Sequence, residues 1–218
     1  MGPLQKDLAG RRPIQARSQK RLQLILDTAG ALLEAEGIEA MNTNRLATES
    51  GVPIASLYHY FPNKQSILVA LGQSWLDRLI AVIDDAEATS PPENGLLDFL
   101  DVCLTALSIC YQDTPGLDAL QRAMILLPEL ETVEKQHDHR ALQRLCQLFL
   151  RGGVPGSEAE ILRLAETVFV ATHFLLLLWR GKPAVEKPAV LAEIKRMCRR
   201  YINGHVAGGK VAEGQISA

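Results

Sequence analysis

Cysteine is scarce in this sequence, and what there is stands unpaired. The 218 residues hold four, Cys103, Cys110, Cys146 and Cys198, scattered through apolar helical patterns. No Cys-x-x-Cys pair occurs, so neither a zinc site nor a redox motif is expected, and the four read as buried free thiols of a reducing cytosol. Long apolar runs are lacking too. The strongest, Phe169 to Trp179, is interrupted by Thr172 and His173 and falls short of the ~20 residues that a membrane span needs. No apolar signal segment opens the chain. These features lead us to expect a soluble, cytoplasmic protein with no membrane partner. Strand alternation and hairpin turns are missing, which argues against β folds. Net charge is only −2, so there is no global basic field.

Catalytic and metal signatures are equally thin. No Ser/His/Asp arrangement or phosphate loop suggests itself, so no enzyme activity and no cofactor are expected. Glu134-x-x-His137 has the spacing used by di-iron helical bundles, but such a site needs a second copy and two further glutamates. His137 and His139 stand two apart, nearly opposite on a helix. Glu134, His137 and His139 therefore read as solvated surface, with no metal.

Charge is present but unevenly placed. Residues 1–21 carry +5, residues 22–72 carry −3 and the remainder −4. A basic segment of this kind can attract phosphate, although residues 1–12 read better as a solvated tail. Ser18 to Glu36 reads as the first helix, with Leu22, Ile25, Leu26, Ala29, Leu32 and Leu33 forming one stripe and Gly37 ending it.

The stretch from Thr43 to Lys64, TNRLATESGVPIASLYHYFPNK, organises the rest. Thr43 to Ser50 reads as a short helix capped by Asn42 or Thr43. Gly51 follows where a helix ends in a left-handed residue. Val52 plugs the turn, and Pro53 sits just inside a second helix. That helix must stop by Phe61, because Pro62 disfavours helical geometry before it. Two short helices around a glycine turn make a helix-turn-helix, whose second helix enters the DNA major groove.

The run LYHYFPNK after LA…SGV closely resembles the DNA-binding domain of the TetR family of bacterial one-component repressors. The resemblance covers roughly Arg17 to Leu71. It implies that Arg17, Lys20 and Arg21 approach the DNA backbone and that Thr43, Tyr58 and Lys64 hold phosphates. It also implies a base or phosphate contact for Asn44 or Arg45. Pro53, Ile54, Ala55 and Ser56 face the groove, and none is the Arg or Asn that reads guanine or adenine bidentately. Ile54 and Ala55 can instead touch thymine methyl groups. His59 either caps a phosphate or fills the helix surface.

A fourth helix runs from Pro62 or Asn63 to about Ala88, and the resemblance makes it the connection between two domains. The run from Thr89 to Gly95 is the clearest break. Beyond it, helices are expected at about 95–112, 116–127, 129–151, 157–181 and 187–206. Phe99, Cys103, Leu107, Met124 and Leu127, with Leu145, Phe149, Phe169, Thr172 and His173, are either ordinary core or the lining of a cavity. His173 is the best polar candidate there, because a buried imidazole needs a partner. As the resemblance implies, the last two helices form a dimer bundle carrying Leu175, Leu176, Trp179, Leu191, Ile194 and Cys198.

The expected architecture is all-α, with an N-terminal three-helix helix-turn-helix domain and a C-terminal helical ligand-binding and dimerisation domain. Residues 1–16 are expected to form a basic flexible arm, 17–65 the DNA-binding domain, 66–206 the ligand-binding and dimerisation domain, and 207–218 a flexible tail. The expected function is a transcriptional regulator, a homodimeric repressor released from double-stranded operator DNA by a small hydrophobic ligand. The alternative is a helical small-molecule enzyme or carrier with an incidental helix-turn-helix.

Overall fold

Apolar residues recurring every three or four positions leave the chain one economical way to bury them, as amphipathic helices. The computed structural model describes the backbone of residues 4–126 and 128–216. Side chains of residues 4–16, 40, 125, 126, 129 and 207–216 lie outside the described residues. Among the described residues the elements are α1 (Leu4–Ala40), α2 (Thr43–Ser50), α3 (Ile54–Tyr60), α4 (Lys64–Thr89) and a 3₁₀ turn (Pro92–Asn94). These are followed by α5 (Leu96–Gln112), α6 (Leu117–Leu126), α7 (Pro128–Arg151), α8 (Glu158–Arg180) and α9 (Lys187–Ile216). The fold is all-α, with the helix-turn-helix at its N-terminal end.

Periodicity places most of these boundaries within a residue or two. The outermost ends differ, since α1 already begins at Leu4 and α9 continues to Ile216. Residues 4–16 and 207–216 carry no apolar stripe, and a pattern method sees only helices that bury a face. Within α1 the geometry breaks at Gly37, where φ is 76°. Two helices, α4 and α8, are long and apolar enough by length and composition to cross a membrane. Core helices pass the same test, and Ile67, Leu68 and Trp75 of α4 and Leu164, Ala165 and Val168 of α8 are buried within the protein.

By their contacts the helices fall into two compact units. The first comprises Met1–Trp75 with Thr114–Glu134. Here α1 packs on α2 and α6, and α2 on α3. Ile25, Leu26, Ala29 and Leu33 of α1 are buried, as are Leu46, Leu57 and Phe61 around the turn. The approach of α6 to α1 is a backbone contact. Gly116 has φ 72°, and a Cβ there would sit 2.7 Å from both the Gly30 carbonyl oxygen and Leu33 Cβ. Its N–H donates to a Glu34 carboxylate oxygen at 2.7 Å.

The second unit comprises Leu76–Asp113 with Lys135–Ala218. Its core gathers Leu96, Phe99, Leu100, Leu148, Phe149, Ile161, Leu164, Ala165, Val168 and Ile202. Helices α5, α8 and α9 pack on one another. Arginines on α7 fasten it to the second half of α4 and the loop after it: Arg144 to Asp84 and Glu87, Arg151 to Glu87 and Glu93, and Arg140 to Asp77. Ser157 and Glu160 cap α8 reciprocally, with each side chain bonding the other's backbone N–H.

Two glycines with nearly equal φ but different neighbours test the α1–α6 contact. Gly153 has φ 76° and nothing within 4 Å of its missing Cβ. Gly153→Ala should cost about 1 kcal/mol of left-handed strain. Gly116→Ala adds overpacking against backbone and should cost about 3 kcal/mol in all. Urea midpoints will compare the two, and equal losses would show that the Gly30–Gly116 approach is slack.

Candidate functional site

The geometry around residues 42–64 follows from a few local bonds. Asn42, at φ −143°, caps α2 by accepting the Arg45 N–H at 2.9 Å. Gly51 ends α2 at φ 65° and donates to the Thr48 carbonyl at 3.3 Å. Ser50 Oγ, buried in the turn, donates to the Leu46 carbonyl at 2.6 Å. Val52, Leu57 and Phe61 are buried, so the turn is held from beneath by side chains pointing inward. Pro53 stands one position earlier than the sequence suggests. It is the cap of α3, with φ −54° and ψ 135°, and its carbonyl accepts from Ser56 and Leu57.

That packing leaves one face of α3 outside. Ile54, Ala55, Tyr58 and His59 are exposed, Pro53 precedes them on the same surface, and Ser56 is half-buried. Tyr58 Oη lies 3.1 Å from Thr43 Oγ1, so two hydroxyls from α3 and α2 stand together. Lys64 donates its ammonium to the Ile38 carbonyl, which ties the start of α4 to the end of α1. Among the described residues, two of its three N–H donors are left over. Asn63 caps α4 through Ser66, whose N–H reaches Asn63 Oδ1 at 2.8 Å. Arg17, Lys20, Arg21 and Asn44 are exposed. Arg45 is engaged elsewhere, with its guanidinium forked onto both Glu36 carboxylate oxygens. This bidentate pair would have to open before Arg45 touched DNA.

A cavity of about 60 Å³ lies within the second unit. It is lined by Phe99, Cys103, Leu107, Leu145, Phe169 and Thr172, all named above as cavity candidates, and by Ile83, Leu100, Leu104, Ala141, Leu148, Val168 and Cys198, which were not. Nothing in periodicity separates those seven from core. Three candidates fall elsewhere. Met124 packs near Gly72 in the first unit, and Phe149 is completely buried in the core. His173 does not line the cavity, because its ring has found an internal partner in Tyr111. Leu127 lies outside the described residues. The Thr172 hydroxyl donates back to the Val168 carbonyl at 2.7 Å, leaving an apolar wall. Burial pushes the Cys103 thiol up to about 12 and the Cys198 thiol up to about 11, so both remain neutral.

The dimer residues need correction. Leu176, Trp179, Ile194 and Cys198 are buried inside the single chain, Leu176 to 1% exposure, and Leu175 and Leu191 are half-buried. Side chains already consumed by the chain's own core offer nothing to a partner. What α8 exposes instead is Val170, Phe174 and Leu178, 51%, 64% and 58% exposed, with Met197 and Tyr201 exposed on α9. Their i, i+4, i+8 spacing was readable as a second stripe. His137, read from the sequence as surface, is also buried, at 5% exposure. Among the described residues no three His, Cys, Asp or Glu side chains gather closely enough to hold a metal.

Residues 25–71 match the model of the bacterial regulatory proteins of the tetR family. The chain is 27% identical over 138 residues to the HTH-type transcriptional repressor KstR of Rhodococcus jostii, covering 62% of this chain and 63% of that repressor. It is 28% identical over 114 residues to the HTH-type transcriptional regulator EthR of Mycobacterium tuberculosis, about half of each chain. Among solved structures, a TetR-family regulator from Streptomyces coelicolor superposes with a TM-score of 0.61 at 23% identity, over 85% of this chain and 99% of that one. A TetR transcription regulator from Haloarcula marismortui gives 0.65 at 18% identity, over 86% and 98%.

The Tyr111–His173 pair can be tested through pH. Tyr111 Oη lies 2.7 Å from His173 Nδ1. Burial pushes the phenol up and the imidazole below its ordinary value, with His137 pushing the imidazole the same way and Asp138 opposing. The unfolded chain therefore protonates first as pH drops. This contribution to stability is complete above about 6.5, the unfolded histidine value, and is lost as pH falls below it. Between about pH 7.5 and 5, wild-type Tm should fall more than that of His173→Asn, which keeps an acceptor for Tyr111 but does not titrate. Parallel melting curves would refute the assignment.

Proposed function

This chain belongs to the TetR family of bacterial regulatory proteins, and we propose that it works in the cytoplasm as a homodimeric repressor that a small apolar ligand releases from operator DNA. The observation carrying this reading is the exposed face of α3, held rigid by Gly51, Ser50 and the buried Leu57 and Phe61. In this reading residues 17–65 are the DNA-binding domain, and residues 66–206 bind ligand and partner.

Tyr58, Thr43 and the remaining donors of Lys64 take the phosphate backbone, with Arg17, Lys20 and Arg21 adding phosphate attraction. Ile54 and Ala55 meet thymine methyl groups, and Pro53, Ser56, Asn44 and His59 complete the surface. Good bidentate pairs discriminate by about 1–3 kcal/mol each, and α3 carries no side chain that makes one. Selectivity then rests on geometry. Two recognition helices must sit about 34–36 Å apart, one turn of duplex, which makes the dimer a condition of binding.

The exposed Val170, Phe174 and Leu178 on α8, with Met197 and Tyr201 on α9, are the surface for that dimer. Ile83 supplies the switch. It lines the cavity and belongs to α4, the same continuous helix whose first residue is Lys64. A ligand that displaces Ile83 biases the position of α4 and hence the half-site spacing. Couplings of this kind are typically about 1–3 kcal/mol.

Phe174→Glu should convert the dimer to monomers with the fold intact, since Phe174 lies outside the core. A wild-type protein that sediments as a stable monomer at micromolar concentration would refute the dimer. Mobility shifts with the DNA upstream of the protein's own gene test the remainder. Inserting two base pairs between half-sites should weaken binding more than any single base change. One dominant guanine in an operator scan would overturn the reading of α3.

A further inference from the structure

Three helices present their next residues just beyond the cavity, and those residues are polar rings. Leu107 on α5, Ala141 on α7 and Phe169 on α8 line the cavity. Four positions away on the same helices stand Tyr111, His137 and His173. Four residues are about one turn, so each ring sits over the same helix face as its cavity residue. Ring contacts join the two layers. The Phe169 centroid is 6.5 Å from that of His173, the rings nearly parallel, and 6.5 Å from that of His137.

Within this layer one atom is left over among the described residues. His137 is buried, and its Nε2 has no hydrogen-bond partner among them. A buried ring nitrogen left unmatched destabilises the fold, and native proteins seldom keep one without a reason. Its role follows from the other nitrogen. Nδ1 lies 3.4 Å from Asp138 Oδ1, and a carboxylate oxygen accepts but does not donate. The proton of the neutral ring is therefore held on Nδ1, and Nε2 presents an acceptor lone pair. Tyr111, the neighbouring hydroxyl, is committed to His173 Nδ1.

We propose that the molecule taken up by this cavity is amphiphilic, with an apolar body against the lining and a single hydroxyl that donates to His137 Nε2. The inference rests on the reading of the cavity as the effector site. It narrows the ligand class from small and hydrophobic to a long-chain or cyclic alcohol or phenol, and excludes carboxylates, which have no proton to give. At about 60 Å³ the cavity has room for only about two waters. Entry must move side chains, and Phe169, which touches both the cavity and the His137 ring, is the one that has to turn.

The test uses the full-length protein, calorimetry and thermal shift, with straight-chain alcohols from hexanol to dodecanol as probes. Each alcohol is paired with its methyl ether and with the carboxylate of equal length. One hydrogen bond to a buried acceptor should make the best alcohol bind about tenfold more tightly than its ether. In His137→Leu that preference should vanish, while the variant melts no lower than wild type because the unmatched nitrogen is gone. Equal binding of alcohol and ether by wild type would overturn the proposal and leave Nε2 to a resident water. A carboxylate that binds best, a preference that survives in His137→Leu, or no binding by any alcohol would overturn it as well. The wild-type comparison needs no variant, so a misfolded mutant leaves the test intact. Adding the best alcohol to the operator complex separates this proposal from the one beneath it. Binding without release from DNA upholds the hydroxyl and defeats the effector role, whereas release with no alcohol preference does the reverse.

Discussion

Helices α2 and α3 have eight and seven residues, too few to persist alone in water, where isolated helices below about 12–15 residues are marginal. They exist because Leu46, Ala47, Leu57 and Phe61 are buried in the first unit together with the stripe of α1. Everything on the exposed face of α3 depends on that burial. The same packing that turns Leu57 and Phe61 inward leaves Ile54, Ala55, Tyr58 and His59 outside, because residues four apart share a face. Gly51 makes the geometry possible by ending α2 in a left-handed turn without steric cost.

A second constraint acts on α8. From Val168 to Trp179 it is apolar nearly all the way round, and a stretch of that kind must be covered on every side. Its own chain covers Ile161, Leu164, Ala165, Val168, Leu176 and Trp179. Leu162, Val170, Phe174 and Leu178 are left, and a chain that exposes the last three in register has a surface suited to a partner.

Much of this was legible beforehand. The caps, the left-handed glycine and the proline stops are local signals, each set by backbone geometry over three or four residues. The helix-turn-helix was accordingly readable to the residue at Thr43, Ser50 and Gly51, and only Pro53 shifted by one position. The cavity was legible in part. Phe99, Leu107 and Phe169 looked no different from Phe149, since apolar spacing marks a buried face without telling a wall from a filled interior. The charged side chains were least legible. Arg45 was available to DNA on sequence grounds until Glu36, nine residues away, proved to hold it.

The sequence alone determined the class of fold and the position and register of the helix-turn-helix, and it carried the resemblance to the TetR family. All of these rest on interactions between near neighbours, which the order of residues specifies directly. Tertiary structure decided which face of each long helix meets the core, and so which residues of α8 and α9 stay outside. It brought Tyr111, His137 and His173 together from three helices and buried a histidine that, with Glu134 and His139, had read as solvated surface. Burial is set by what packs opposite a residue, and helices distant in sequence supply that.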